Sequence, residues 1–278
     1  MTNKLQYTET YPLLTVDNVG LVLQGKTILR EANAQVKDII RAGMKQGQVI
    51  GFLGPSGIGK TQFFRIIAGL QAPTSGKVLL GKDQHPVAQG MVGVVAQRYP
   101  LFMHRTVIGN LIIGSMQSKS GYGRKEARER AYAMLERFKL ADKADSYPSQ
   151  LSGGQQQRIA IAQQMLCDGH FLLMDEPFSG LDLIMKAKVT ELINEIATMD
   201  EENTIIVITH VIEEAASVAD ELWLMGRDRD EKGDIIPGAR IQQTYDLKEL
   251  GLAWQPDIAR TREFIDFAAE VKQRFMTL

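Results

Sequence analysis

Five short apolar runs punctuate the chain: Val49–Leu53, Val92–Ala96, His170–Met174, Thr204–Thr209 and Glu221–Met225. Each is too short for a globular helix and is apolar on consecutive positions, the mark of a strand buried on both faces. With helical patterns between them, they predict a mostly parallel sheet covered on both sides, an α/β architecture. The first run leads into a helix predicted over Thr61–Leu70, whereas Leu13–Val36 has alternating, turn-punctuated character. Between Gln97 and Ser152 the texture becomes helical and predicts a separate lobe. There Ala127, Ala131, Met134, Leu135 and Phe138 share one helical face, with Arg124, Lys125, Glu129, Arg130 and Glu136 elsewhere on the wheel. Ser118–Gly123 reads as a flexible connection, and Gly226–Asp234 as a charged turn. A last helix is predicted from about Pro256 to Met276, with Phe264, Phe267, Ala268, Val271 and Phe275 in one stripe whose ordinary use is core packing.

Bulk properties narrow the picture by exclusion. The 278 residues carry 32 Lys+Arg against 33 Asp+Glu, so no charge imbalance argues for nucleic acid, and none is expected as a partner. Cys167 stands alone, which rules out an internal disulfide and suits a reducing compartment. No apolar run approaches the ~18 residues of a membrane helix. Residues 1–9 lack the apolar segment of a secretory signal, so the expected location is cytoplasmic.

The chemistry enters with Gly54-Pro55-Ser56-Gly57-Ile58-Gly59-Lys60-Thr61, a full match to G-x-x-x-x-G-K-[ST]. Its glycines let backbone N–H groups close around phosphate oxygens, while Lys60 reaches the β/γ-phosphates and Thr61 holds Mg²⁺. Alone, the loop implies only a nucleoside triphosphate. A second motif narrows the choice: Leu151-Ser152-Gly153-Gly154-Gln155-Gln156-Gln157-Arg158. Leu-Ser-Gly-Gly-Gln is the signature of the ATP-binding cassette family, which the chain resembles over about its first 245 residues. Other family motifs follow in order: Gln97 resembles the glutamine loop, Asp175-Glu176 the acidic pair, Ser179–Asp182 the D-loop and His210 the switch histidine.

The resemblance implies a P-loop NTPase (RecA-like) core with an antiparallel β-subdomain and an inserted α-helical subdomain. It divides the chain into an ATPase domain over 1–245, its helical part at about 98–155, and a C-terminal helical extension over 246–278. ATP and Mg²⁺ are the implied cofactors, with Thr61, Gln97 and Asp175 toward the metal. Glu176 is implied as general base, with His210 and Gln97 ordering the attacking water and the γ-phosphate. Ser152, Gly153, Gly154 and Gln155 are implied to close on nucleotide held by a second subunit, and Asp182 to couple the two sites. The working unit is then a dimer, expected as a homodimer, docked on transmembrane permease subunits at the inner membrane face. A solute-binding protein is a further implied partner. ATP hydrolysis would power solute transport, and Gln97–Phe102, His104–Val107 and Leu173–Phe178 resemble importers of nitrate, sulfonate or taurine.

Two rival readings fit less of the sequence. A soluble cassette ATPase acting on nucleic acid or ribosomes usually carries two cassettes or a long coiled-coil insertion, and neither is present. A small-molecule kinase would share the phosphate loop but not the Ser152 motif or His210. The sequence also departs from the family's pattern. Relatives stack an aromatic residue on adenine near the position of Leu23, where this chain has Val22-Leu23; this implies either lower base affinity or substitution by Tyr7 or Tyr11. Glu31–Gln46 looks a few residues long and is expected as a small surface insertion. Val211 stands where importers commonly have an acidic residue.

Overall fold

The apolar runs become the strands that order the whole molecule, a computed structural model describing residues 6–41, 43–96, 100–118, 120–167, 169–255 and 257–278. In chain order the elements begin with β1 (Tyr7–Leu23), β2 (Lys26–Arg41), β3 (Gln48–Leu53), α1 (Lys60–Ile67), β4 (Ser75–Leu80), β5 (His85–Pro86) and β6 (Gly93–Val95). The helical lobe follows with α2 (Val107–Met116), α3 (Arg124–Arg137) and α4 (Gly153–Met165). Next come β7 (Phe171–Asp175), α5 (Leu183–Met199), β8 (Thr204–Thr209), α6 (Ile212–Val218), β9 (Glu221–Arg229), β10 (Ile235–Asp246) and α7 (Arg262–Phe275).

Among the described residues one sheet has the order β5-β4-β1-β2-β10-β9-β3-β8-β7-β6. Its β9-β3-β8-β7-β6 half is parallel, and β5-β4-β1-β2 is an antiparallel wing. The two halves meet where Ala239 of β10 pairs with Leu29 of β2. Parallel strands covered on both faces must be apolar at every position, and β8 shows why. Ile205 and Val207 pack with the helical lobe and α5, while Ile206 and Ile208 pack with α1 and the wing. The face predicted for the lobe's second helix is buried as expected at Ala127, Ala131, Leu135 and Phe138.

Three expectations need correction. Glu31–Gln46 is no surface insertion, because β2 continues through Arg41 and lengthens the pairing with β1 back to Tyr7. That extension carries Arg41 inward: its guanidinium bonds Asp220 at 3.2 Å, also donates to the Gln46 carbonyl, and lies 4.3 Å from the Trp254 ring centroid. Asp220 accepts in turn from the Val49 amide at 2.6 Å. Burial pushes the Asp220 carboxyl up, against the pull of Arg41. Gly226–Asp234 is not all turn either. β9 runs to Arg229, and Asp228 binds Arg240, Gln242 and Arg30, extending the hairpin beyond its apolar positions. The last helix starts later than about residue 256, which is itself outside the described residues. Thr261 caps it, accepting from the Phe264 amide at 3.3 Å, and Ile258–Arg260 form a 3₁₀ turn before it.

The α7 stripe is core. Phe264, Phe267, Ala268 and Val271 pack with Leu53, Ile212, Leu222 and Leu247. Tyr245 and Phe267 meet edge to face at 5.4 Å. Phe264→Ala should therefore cost about 3–5 kcal/mol in chemical denaturation, whereas its exposed neighbour in Ile265→Ala should change stability by less than ~0.5 kcal/mol.

Candidate active site

β3 ends at Leu53 and hands the chain to Gly54–Thr61, whose shape depends on two glycines. Gly57 has φ +76° and Gly59 φ +120°, and a Cβ at Gly59 would lie 3.3 Å from both Ile28 and Leu29. Ile58 anchors the loop from beneath, its side chain buried in the core, so only its backbone is available to a ligand. Lys60 Nζ donates to the carbonyls of Gly54 at 2.6 Å and Pro55 at 3.1 Å. Burial holds this ammonium below the usual lysine range, and Glu176 and Asp175 oppose that shift. No side chain caps the N-terminus of α1. Backbone N–H groups there are suited to phosphate oxygens, with Ser56, Gly57 and Thr61 exposed around them.

The acidic pair sits at the end of β7. Asp175 pairs in register with Ile208 of β8, and the Glu176 amide donates to the Ile208 carbonyl at 2.7 Å. Burial first, and then the charge of Glu176, push the Asp175 carboxyl up, while Lys60 pulls it down. The Asp175 carboxyl, coupled to Lys60 of the phosphate loop, and the exposed hydroxyl of the next residue, Thr61, are oxygen donors of the kind that suits Mg²⁺. Asp175 and Thr61 are the described residues fitted to hold that ion; Gln97 lies outside the described residues. Glu176 adopts φ +50°, unusual for a residue with a Cβ. Its Oε2 lies 2.9 Å from His210 Nδ1 and accepts from the Thr209 hydroxyl at 3.1 Å. The structure thus joins two predicted residues, Glu176 and His210, directly, and adds a third contact on the same oxygen, Thr209, that sequence reasoning missed. The available signal for Thr209 was its place as the last residue of a strand, immediately before the histidine.

The Ser152 group lines a different surface. Ser152 caps α4, its Oγ accepting from the Gln155 amide at 3.4 Å, and Gln155 Oε1 accepts from the Ser152 amide at 3.0 Å. This reciprocal cap turns the Gln155 side chain back onto its own helix end. Ser152, Gly153, Gly154 and Gln155 share a groove of about 740 Å³ with Leu181, Met185 and the basic residues Lys139, Arg158 and Lys188. None of the groove's lining residues belongs to the phosphate loop or the acidic pair. Asp182 caps α5 at the same edge, accepting from the Met185 amide at 2.8 Å, and is followed by the exposed Leu183 and Ile184.

Leu23, the position expected to face adenine, lies at the β1–β2 hairpin tip. Gln24 and Gly25 make its turn with φ +50° and +75°, and the contact of Gly59 with Ile28 and Leu29 sets this end beside the phosphate loop. Val22 and Leu23 are partly exposed there. Neither tyrosine lies at that tip. At about 3.3 Å per strand residue, Tyr11 lies roughly 35–40 Å along β1 from Leu23, and Tyr7 farther. Tyr7 packs edge to face on Trp254 at 5.9 Å, and Tyr11 lies beneath the Lys82 ammonium.

Known proteins resemble this chain in sequence and in fold. A family model described as ABC transporter matches residues 38–179. A sulfate/thiosulfate import ATP-binding protein of Pseudomonas aeruginosa is 41% identical over 198 residues, covering 68% of this chain and 59% of its own. A counterpart in Mesorhizobium japonicum is 40% identical over 195 residues, covering 68% and 56%. An Fe(3+) ions import ATP-binding protein of Rhizobium etli is 37% identical over 206 residues, covering 73% and 56%. The chain therefore spans less than two thirds of these relatives' length. Among solved structures, cbiO1 from Clostridium perfringens, part of the ABC transporter complex cbiONQ, superposes with a TM-score of 0.71 at 22% identity over 96% of this chain and 98% of its own. The ATP-binding cassette MJ0796, a dimer bound to ADP and Pi, gives 0.63 at 25% identity over 84% and 99%.

The apolar hairpin tip makes base affinity testable. Base stacking on an aromatic ring is worth about 1–3 kcal/mol relative to alanine, and leucine already supplies part of the contact. Leu23→Tyr should tighten ATP binding by no more than about fivefold, or about 1 kcal/mol, in calorimetric titration. Affinity for inorganic tripolyphosphate should stay unchanged.

Proposed function

Because the chain belongs to the ABC transporter family, we propose that it is an ATP-hydrolysing, nucleotide-binding subunit driving solute import through separate membrane permease subunits. The observation that carries this reading is the convergence of Lys60, Asp175, Glu176 and His210 where β3, β7 and β8 end. The names of the sequence relatives, all import ATP-binding proteins, support transport over a soluble role on nucleic acid or ribosomes. Among the described residues no helix is long and apolar enough to cross a membrane, in keeping with permeases on other chains and a peripheral place at the inner face. Relatives of similar identity are named for sulfate/thiosulfate and for Fe(3+), so the ATPase itself does not read the solute. Solute choice belongs to the permease and a solute-binding protein.

Hydrolysis needs charge neutralisation and an oriented water more than covalent chemistry. Lys60 and the amides of Gly54–Lys60 hold the β/γ-phosphates; Pro55 contributes its carbonyl to Lys60 and no N–H. Thr61 and Asp175 would hold Mg²⁺, whose contribution when bound would be to neutralise phosphate charge. Glu176 accepts a proton from the attacking water, and His210 orders water and γ-phosphate beside it. The Ser152–Gln155 groove is basic and separate from the chain's own phosphate loop, which suits nucleotide presented by a second copy. Asp182, Leu183 and Ile184 lie at that edge and join the two sites of a homodimer. Phe102 and Met103, exposed just before α2, offer apolar surface to the permease, and Asn110 holds that loop by accepting from the Phe102 amide at 2.7 Å. Tyr99, in the same Gln97–Phe102 stretch, lies outside the described residues.

Two variants test the reading. Glu176→Gln should bind Mg-ATP normally, lose at least about 100-fold in hydrolysis rate and accumulate as an ATP-dependent dimer on size exclusion. Hydrolysis at the wild-type rate would remove Glu176 from its role. Ser152→Arg should leave ATP affinity of the monomer unchanged while abolishing hydrolysis, and impaired binding by the monomer would contradict a site shared between subunits.

A further inference from the structure

Thr209 closes β8 and is fully buried, yet no motif of the sequence assigns it a part. Its hydroxyl accepts from the Val211 amide at 3.2 Å and lies 3.1 Å from Glu176 Oε2. A hydroxyl carries one hydrogen. One of its two lone pairs accepts from Val211, and because a carboxylate oxygen can only accept, the hydroxyl hydrogen is directed at Glu176. His210 Nδ1 lies 2.9 Å from the same oxygen. Among the described residues both side-chain contacts fall on Oε2, leaving Oε1 as the atom that receives the proton of water.

We propose that Thr209 is a positioning residue for the general base: its hydroxyl, oriented by the Val211 amide, fixes Glu176 Oε2 and reserves Oε1 for water. The proposal rests on the reading of Glu176 as the base. It gives the backbone after β8 a purpose beyond presenting His210, since the Val211 amide sets the donor that holds Glu176. A purely structural Thr209 would instead tie off the turn at the strand end, and its loss would lower stability without singling out the chemical step.

The test uses the full chain with Mg-ATP. Thr209→Val keeps shape and removes the hydroxyl, so kcat should fall about tenfold, the loss expected for one hydrogen bond to a charged group, while ATP affinity stays within about twofold. Thr209→Ser should restore most of the rate. In a Glu176→Gln background, Thr209→Val should cause no further loss in the residual single-turnover rate, because the two residues act through one atom. Should the valine variant fail to fold, Thr209→Ala carries the same expectation. A valine or alanine variant at full kcat, or an equal proportional loss with and without Glu176, overturns the proposal. Wild-type hydrolysis by Glu176→Gln alone would overturn the base assignment on which it stands, whereas an inactive Glu176→Gln beside a fully active Thr209→Val would overturn only the role of Thr209.

Discussion

Parallel pairing of β3, β8 and β7 is the constraint on which the rest depends. Leu53 pairs with Thr209, and Asp175 with Ile208, so three chains leave the sheet at the same level. The first continues into the phosphate loop, the second into His210 and the third into Glu176. Register in a sheet buried on both faces is enforced by every side chain in it, because a slip of one residue exchanges the two faces. Ile205 and Val207 could not trade places with Ile206 and Ile208 without meeting the wrong helices. Core packing thereby fixes which polar groups meet beyond the strand ends, although none of those groups belongs to the core.

The same logic governs the opposite end of the sheet. Asp220 enters β9 fully buried, bonded to the Val49 amide at the start of β3 and to Arg41 at the end of β2. Losing one member of such a pair generally costs about 3–5 kcal/mol, because the other charge is left uncompensated. Asp220 thus joins the antiparallel wing to the parallel core, and the Trp254 ring over Arg41 brings the C-terminal segment into the same joint. At the active end, Asp228 performs a related task between β2, β9 and β10 through Arg30, Arg240 and Gln242.

What was legible in the sequence was what local chemistry determines. The phosphate loop carries its shape in Gly57 and Gly59, and the buried strands declare themselves because consecutive positions face two cores. The face of α3 was readable for the same reason. What escaped depends on partners far along the chain. Nothing local to Gly226–Arg229 says that Asp228 will find three donors and prolong a strand, nor that Arg41 will be drawn into the interior by Asp220. Tyr7 and Tyr11 looked available to adenine only until strand length put them at the wrong end of β1. Thr209 was read as one more strand residue, since its hydroxyl acquires meaning only from the left-handed turn that brings Glu176 over it.

That turn has a wider implication. Glycine or asparagine would occupy φ near +50° with less strain than glutamate, so a chain optimised for stability alone would not place Glu176 there. The position is a point of local frustration, tolerated because the Ile208 carbonyl, the Thr209 hydroxyl and His210 together over-determine it. The carboxylate is therefore oriented by contacts within the fold itself. In the general-base role proposed for it, Glu176 would meet substrate at the loop with its orientation set during folding.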